Sequence, residues 1–162
     1  MRTITTVLLS LLLFGIPTYT KSQDKPAENV RDIMVVLTGQ CRMQPISELS
    51  IIPCDNEVIF SVLRTGRSHL VVTRTNETYV LAGGSDRQPD LENYFLIIDT
   101  LITDVPNRGR TEDRNMEGEC HFRVSKSGVK FYSIRCDVYD RVKGRGFKLY
   151  LDNITNAFHK PF

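Results

Sequence analysis

Apolar and polar residues alternate along much of this chain with a period of two, the repeat of a β-strand half buried on one face. In residues 52–62, Ile52, Cys54, Val58, Phe60 and Val62 share one parity. Asp55, Glu57 and Ser61 take the other, with Asn56 and Ile59 as interruptions. Residues 33–37 form an unbroken apolar run that stops before Gly39. A turn at 64–67 leads into a strand that begins at 70–73, and a second turn at 75–77 leads into 79–82. Residues 83–90 (GGSDRQPD) read as the longest turn-rich loop inside the folded part, since Gly and Pro punctuate local structure most strongly.

Residues 91–102 fit two templates. Leu91, Tyr94, Ile98 and Leu101 would share a helical face that Asp90 could cap. The alternation of Tyr94, Leu96 and Ile98, with abundant β-branched residues, favours a strand. Residues 104–117 are polar without periodicity and predict a long exposed loop. Three strands follow at 119–125, 130–139 and 146–151, with turns at Ser127-Gly128 and at 144–146. The expected fold is all-β: a small antiparallel sandwich or barrel of about eight strands.

The first residues break this pattern. Met1-Arg2 precedes an apolar run at 7–16, Pro17 ends it, and Thr20 and Ser22 sit at minus three and minus one of a cleavage after residue 22. That is the layout of a secretory signal peptide. The run is shorter than the roughly 20 residues that span a bilayer, and no later stretch is long and uncharged enough either. The expected organisation is a signal peptide at 1–22, a flexible tail at 23–31, one β domain at 32–156 and a short tail at 157–162, with a secreted or periplasmic location.

Cysteine sharpens the picture. Cys41, Cys54, Cys120 and Cys136 all follow the signal segment, and an even set in an exported chain reads as disulfides. Cys41 and Cys54 enclose 12 residues and Cys120 and Cys136 enclose 15, so each pair can staple one hairpin locally. The tight C-x2–4-C spacing of a zinc site is absent, so no metal is expected. The staples also align an internal similarity. Gly39-Gln40-Cys41 matches Gly118-Glu119-Cys120, and Ser50-Ile51-Ile52-Pro53-Cys54-Asp55 resembles Ser133-Ile134-Arg135-Cys136-Asp137 with one insertion. Gly66-Arg67 and Gly144-Arg145 then take the next turn. Two stapled strand–turn–strand blocks would explain the match.

With these blocks and the stretch Gly83–Pro89, Tyr94 and Ile98-Asp99, the chain resembles a group of small, functionally uncharacterised exported proteins of rhizobia-like alphaproteobacteria. The resemblance covers most of residues 35–151. It implies a periplasmic or secreted location and supplies neither an activity nor a site.

Charge is divided along the chain. Residues 24–104 carry seven Lys/Arg against twelve Asp/Glu, a balance of −5, and residues 105–162 carry twelve against seven, a balance of +5. The halves attract each other within one domain, or the second offers a basic face.

Catalytic chemistry has little to rest on. His69, His121 and His159 are scattered, with no second ligand at metal spacing, and no nucleophile elbow, phosphate loop or dinucleotide fingerprint is present. Asp86 and Asp99, or Asp90 and Glu92, are candidate carboxylate pairs for a hydrolase. The first candidate site is the loop at 83–90, where Asp86, Arg87 and Gln88 could bind a ligand beside mobile glycines. The second is a strand face: if Cys120, Phe122 and Val124 point inward, His121, Arg123 and Arg135 point outward. Asn76 and Asn153 head glycosylation triplets should the source be eukaryotic. The leading functional expectation is a disulfide-stabilised binding module for a protein or envelope polymer, with no cofactor and no nucleic-acid partner. The alternative is a small-ligand carrier with an interior lined by Phe60, Val62, Leu70, Leu96 and Ile98.

Overall fold

The computed structural model describes residues 33–161 apart from residue 48, so the expected signal peptide and the tail at 23–31 lie outside the described residues. Strands follow one another along the chain: β1 (Ile33–Pro45), β2 (Ile52–Pro53), β3 (Glu57–Val62), β4 (Ser68–Arg74), β5 (Glu77–Gly83) and β6 (Ser85–Asp90). They continue as β7 (Asn93–Ile97), β8 (Thr100–Val105), β9 (Gly109–Asp113), β10 (Met116–Val124), β11 (Phe131–Asp140) and β12 (Arg145–Pro161). All join one antiparallel sheet in the order β6-β7-β10-β11-β12-β1-β3-β4-β5-β8-β9, with β2 paired to β1. The all-β expectation holds, as a curled half-barrel with more strands than the eight expected.

The extra strands come from two segments read as loops. Residues 83–90 are instead mostly β6, which pairs with β7 through Ser85↔Ile97 and Arg87↔Phe95. Every residue of β6 is exposed, so no buried face wrote an alternation into its sequence. Residues 104–117 likewise hold the end of β8, all of β9 and the start of β10. β6 and β9 are the sheet's edges, and Pro89 and the charges of Asp86, Arg87, Arg110 and Glu112 deter pairing with another chain there. Within residues 91–102, Leu91-Glu92 form the turn from β6 and the rest is strand, interrupted at Ile98-Asp99, as the alternation favoured. β12 runs on through Pro161, beyond the boundary expected at residue 156, because β1 supplies a partner as far as Ile33↔Pro161.

The interruption at Ile98-Asp99 is a corner. The backbone N–H of Ile98 donates to the Gly118 carbonyl on β10 at 2.9 Å, and that of Asp99 donates to the Ala82 carbonyl on β5 at 3.0 Å. One bent segment therefore bonds to both halves of the curled sheet. Glycines permit two close approaches, Gly83 at this corner and Gly118 between β10 and β11. A Cβ at Gly83 would stand 1.8 Å from the Ile97 carbonyl oxygen, and one at Gly118, whose φ is +144°, would stand 2.1 Å from that of Asp137.

The alternating apolar parity fills the inside of the curl. Leu37, Leu70, Leu81, Leu96, Phe122, Ile134 and Leu149 are fully buried there. Phe60 packs on Phe122 with ring centroids 4.9 Å apart. Both disulfides form as the spacing predicts. Cys120 and Cys136 face each other across β10 and β11, and Cys41 of β1 joins Cys54 just beyond β2. The two similar blocks lie side by side, as β10-β11-β12 and β1-β3-β4, and meet where β12 pairs with β1.

Two outcomes test this arrangement. Gly83→Ala should cost about 2 kcal/mol or more through overpacking at the corner, read as a lower urea midpoint with an unchanged slope. Replacing Cys120 and Cys136 together with Ala opens a loop of sequence separation 16. It should cost about 3 kcal/mol in the same measurement.

Candidate functional site

The register of six neighbouring strands lines up one outward residue from each. Arg87 of β6 lies opposite Phe95 of β7, and Phe95 lies opposite His121 of β10. His121 lies opposite Arg135 of β11, which faces Tyr150 of β12, which faces Arg42 of β1. Directly paired residues of an antiparallel sheet project from the same face. Their chain neighbours Leu96, Cys120, Phe122, Cys136, Leu149 and Cys41 are buried, so this face is the outside. Three arginines are interleaved along the row with the rings of Phe95, His121 and Tyr150.

Its members touch. The Arg87 guanidinium lies 3.9 Å above the Phe95 ring centroid, and the Phe95 and His121 rings stack at 4.3 Å with planes 4° apart. Arg42 lies 5.9 Å from the Tyr150 centroid. Cation–π contacts of this kind hold a guanidinium flat on a ring while leaving its edge to solvent. Carboxylates orient the arginines: Glu119 accepts from Arg87 at 2.8 Å, and Asp152 accepts from Arg42 at 2.7 Å and lies 3.8 Å from Arg135. The side chains of Arg42, Arg87 and Arg135 still keep 48, 53 and 64% of their exposure. Arg123 stands two residues from His121 on the same face, exposed and without an ion pair among the described residues.

His121 is positioned from below. Its Nε2–H donates to the Asn93 side-chain oxygen at 2.7 Å. Asn93 in turn donates its amide to both oxygens of Asp90 at 2.9 Å. That amide, with the backbone N–H groups of Glu92 and Asn93, holds the Asp90 carboxyl below its ordinary range. Burial pushes the pKa of His121 below its usual value, and Arg123, Arg135 and Arg87 push the same way against Glu119.

The sequence-predicted groups are thus divided and partly merged. Arg87, His121 and Arg135 come from both candidate sites and fall in a single row. Asp86 and Gln88 line a shallow cavity of about 280 Å³ with Phe60, Val62 and Tyr94 at one end of the curl. There the Tyr94 hydroxyl donates to Asp86 at 2.9 Å. Burial, then Asp86, pushes its pKa up to about 12. Asp99 is held elsewhere, by Arg67 at 2.6 Å and Thr100 at 2.6 Å, so it does not join Asp86. Of the proposed ligand lining, Leu70, Leu96 and Ile98 are packed into the core, and Phe60 and Val62 border this cavity. His69 lies on the other half of the sheet, and the side chain of His159 lies outside the described residues. Asn76 and Asn153 are both exposed.

Sequence reading missed Phe95, Tyr150 and Arg42. Each interrupts an apolar alternation: Phe95 between Tyr94 and Leu96, Tyr150 between Leu149 and Leu151, Arg42 between Cys41 and Met43. A bulky ring at an outward parity was the available signal. Among the described residues, no helix is long and apolar enough to cross a membrane. No three of His, Cys, Asp and Glu converge there as metal ligands. Comparison with protein-family models and with curated proteins finds no match.

The depressed pKa of His121 has a signed consequence. A histidine whose folded value lies below its unfolded one, about 6.5, favours the fold above that pH and loses the contribution as pH falls through the folded value. As pH falls below about 6.5 the protein should lose urea stability that a His121→Gln variant retains, and the His121 ring should titrate by NMR below that value.

Proposed function

We propose that the protein is an exported, disulfide-stabilised binding module whose outer row takes an extended anionic polysaccharide. The mixed row of arginines and rings, Arg87–Phe95–His121–Arg135–Tyr150–Arg42, carries this reading. With strands about 4.8 Å apart, the row runs roughly 24 Å across the sheet. That suits a linear polymer better than a small molecule. Guanidinium forks pair with carboxylate or sulfate groups, and the rings offer flat faces to sugar rings between them. The neighbouring outward residues include Arg123 and Lys148 against Asp90, Glu119, Asp137 and Asp152, so five cations stand against four acids over this face. Each acid in contact with the row fixes an arginine rather than occupying its solvent edge.

Export is supported by the leading apolar segment and by two disulfides, which are consistent with an oxidising compartment. A hydrolase reading has less behind it, because Asp86 and Asp99 sit apart and each is held by its own partners.

Affinity electrophoresis in gels containing polygalacturonate or dextran tests the proposal. Polygalacturonate should retard the protein and dextran should not. The retardation should fade as salt rises from about 0.05 to about 0.5 M. Arg87→Ala with Arg135→Ala should weaken it about tenfold or more, since two exposed charge-assisted contacts are lost. Equal retardation by dextran, or an unaffected double variant, would overturn the reading.

A further inference from the structure

The end of the curl opposite Asp86 holds a larger cavity, of about 440 Å³. Met43, Tyr79, Leu101, Met116 and Phe147 give it an apolar floor. Tyr79 and Phe147 meet edge to face there, with centroids 5.7 Å apart. One wall is different. Asp140, Asp113 and Lys143 stand together on it.

Asp140 is the anomaly. Its side chain is 1% exposed. Its Oδ1 accepts from the backbone N–H groups of Val142 and Lys143 at 2.8 and 3.0 Å, which fixes the turn at 141–144. Its Oδ2 accepts no hydrogen bond among the described residues. Buried carboxylate oxygens are ordinarily satisfied, because burial strips their water and leaving it unreplaced is costly. Lys143 only half answers the need. Its ammonium binds Asp113 directly but stands 3.7 Å from Asp140 Oδ2, too far for a hydrogen bond. The lysine side chain is 42% exposed and springs from the turn, so it can swing out into solvent. The other charged groups on the cavity differ in how they are held. Glu112 accepts from Arg114 at 2.7 Å, Arg74 lies 4.0 Å from Glu77, and Arg145 completes the rim.

We propose that this cavity binds a primary ammonium compound with an aromatic or aliphatic body. Its ammonium lies between Asp140 Oδ2 and Asp113, where it displaces Lys143, and its body lies over Met43, Met116, Tyr79 and Phe147. The ligand's three N–H donors satisfy the orphaned oxygen that a tethered lysine does not reach. Lys143 acts as a built-in competitor, keeping the two carboxylates compensated and setting a threshold on affinity. The site is separate from the outer row and independent of what the row binds.

Amide NMR titration with 2-phenylethylamine, 2-phenylethanol and phenylacetate tests this. The amine should shift the amides of Asp113, Met116, Val142 and Lys143. The alcohol and the carboxylate should bind about tenfold more weakly or not at all. Asp140→Asn, which keeps the Oδ1 acceptor of the turn, should weaken amine binding about tenfold. Lys143→Ala changes an exposed side chain and should tighten amine binding by up to about fivefold. Equal binding of the alcohol, tighter binding of phenylacetate, absence of shifts at these amides, or no gain in Lys143→Ala would each overturn the proposal.

Discussion

Two backbone hydrogen bonds from adjacent residues, Ile98 to Gly118 and Asp99 to Ala82, hold the curl of the sheet. A sheet with this many strands exposes one apolar face unless another layer covers it, and no helix is present among the described residues to do so. Curling solves the problem by making the sheet its own second layer. The curl needs a place where strands from opposite ends approach the same stretch of backbone. A side chain would prevent that approach at Gly83, so the corner depends on one missing Cβ atom as much as on the two bonds.

Everything functional follows from which side of the curl a residue faces. Inside, aromatic contacts close each end: Phe60, Tyr94 and Phe122 at one, Tyr79 and Phe147 at the other. The space left over lies at those ends rather than in the middle, which is filled by leucine, isoleucine and valine. Outside, the strand spacing turns a register into a ruler. Residues that are distant in sequence, such as Arg42 and Arg87, become members of one line because five successive pairings happen to be in step.

The fold class was legible wherever burial is one-sided. In β10 and β11, alternation reproduces the inward and outward positions, including the outward His121, Arg123 and Arg135, and in β3 it does so as far as Phe60, after which Ser61 is buried. Disulfide pairing was legible because each spacing suits one hairpin. The edge strands were not legible: β6 buries nothing, so neither face selects apolar residues and its strand character comes from β7 alone. Arg87 was noticed for the wrong reason, as part of a flexible loop, when its position is fixed by pairing with Phe95. The Asp140 cluster was invisible to sequence reading, since Asp113, Asp140 and Lys143 are brought together only by the curl.

β12 lies in the interior of the sheet, between β11 and β1, and is not an edge. Arg42 on β1 meets Asp152 on β12 across a separation of 110 residues. A nascent chain can therefore form the β3–β4–β5 meander early, but one flank of β1 stays unsatisfied until β12 has emerged. Long-range pairing of this sort is slow, because loop closure precedes any reward from the contacts. Late synthesis of a central strand works as a timer: the polypeptide stays loose while β1 waits for its second neighbour, and it commits to the native state only when the last strand is in place.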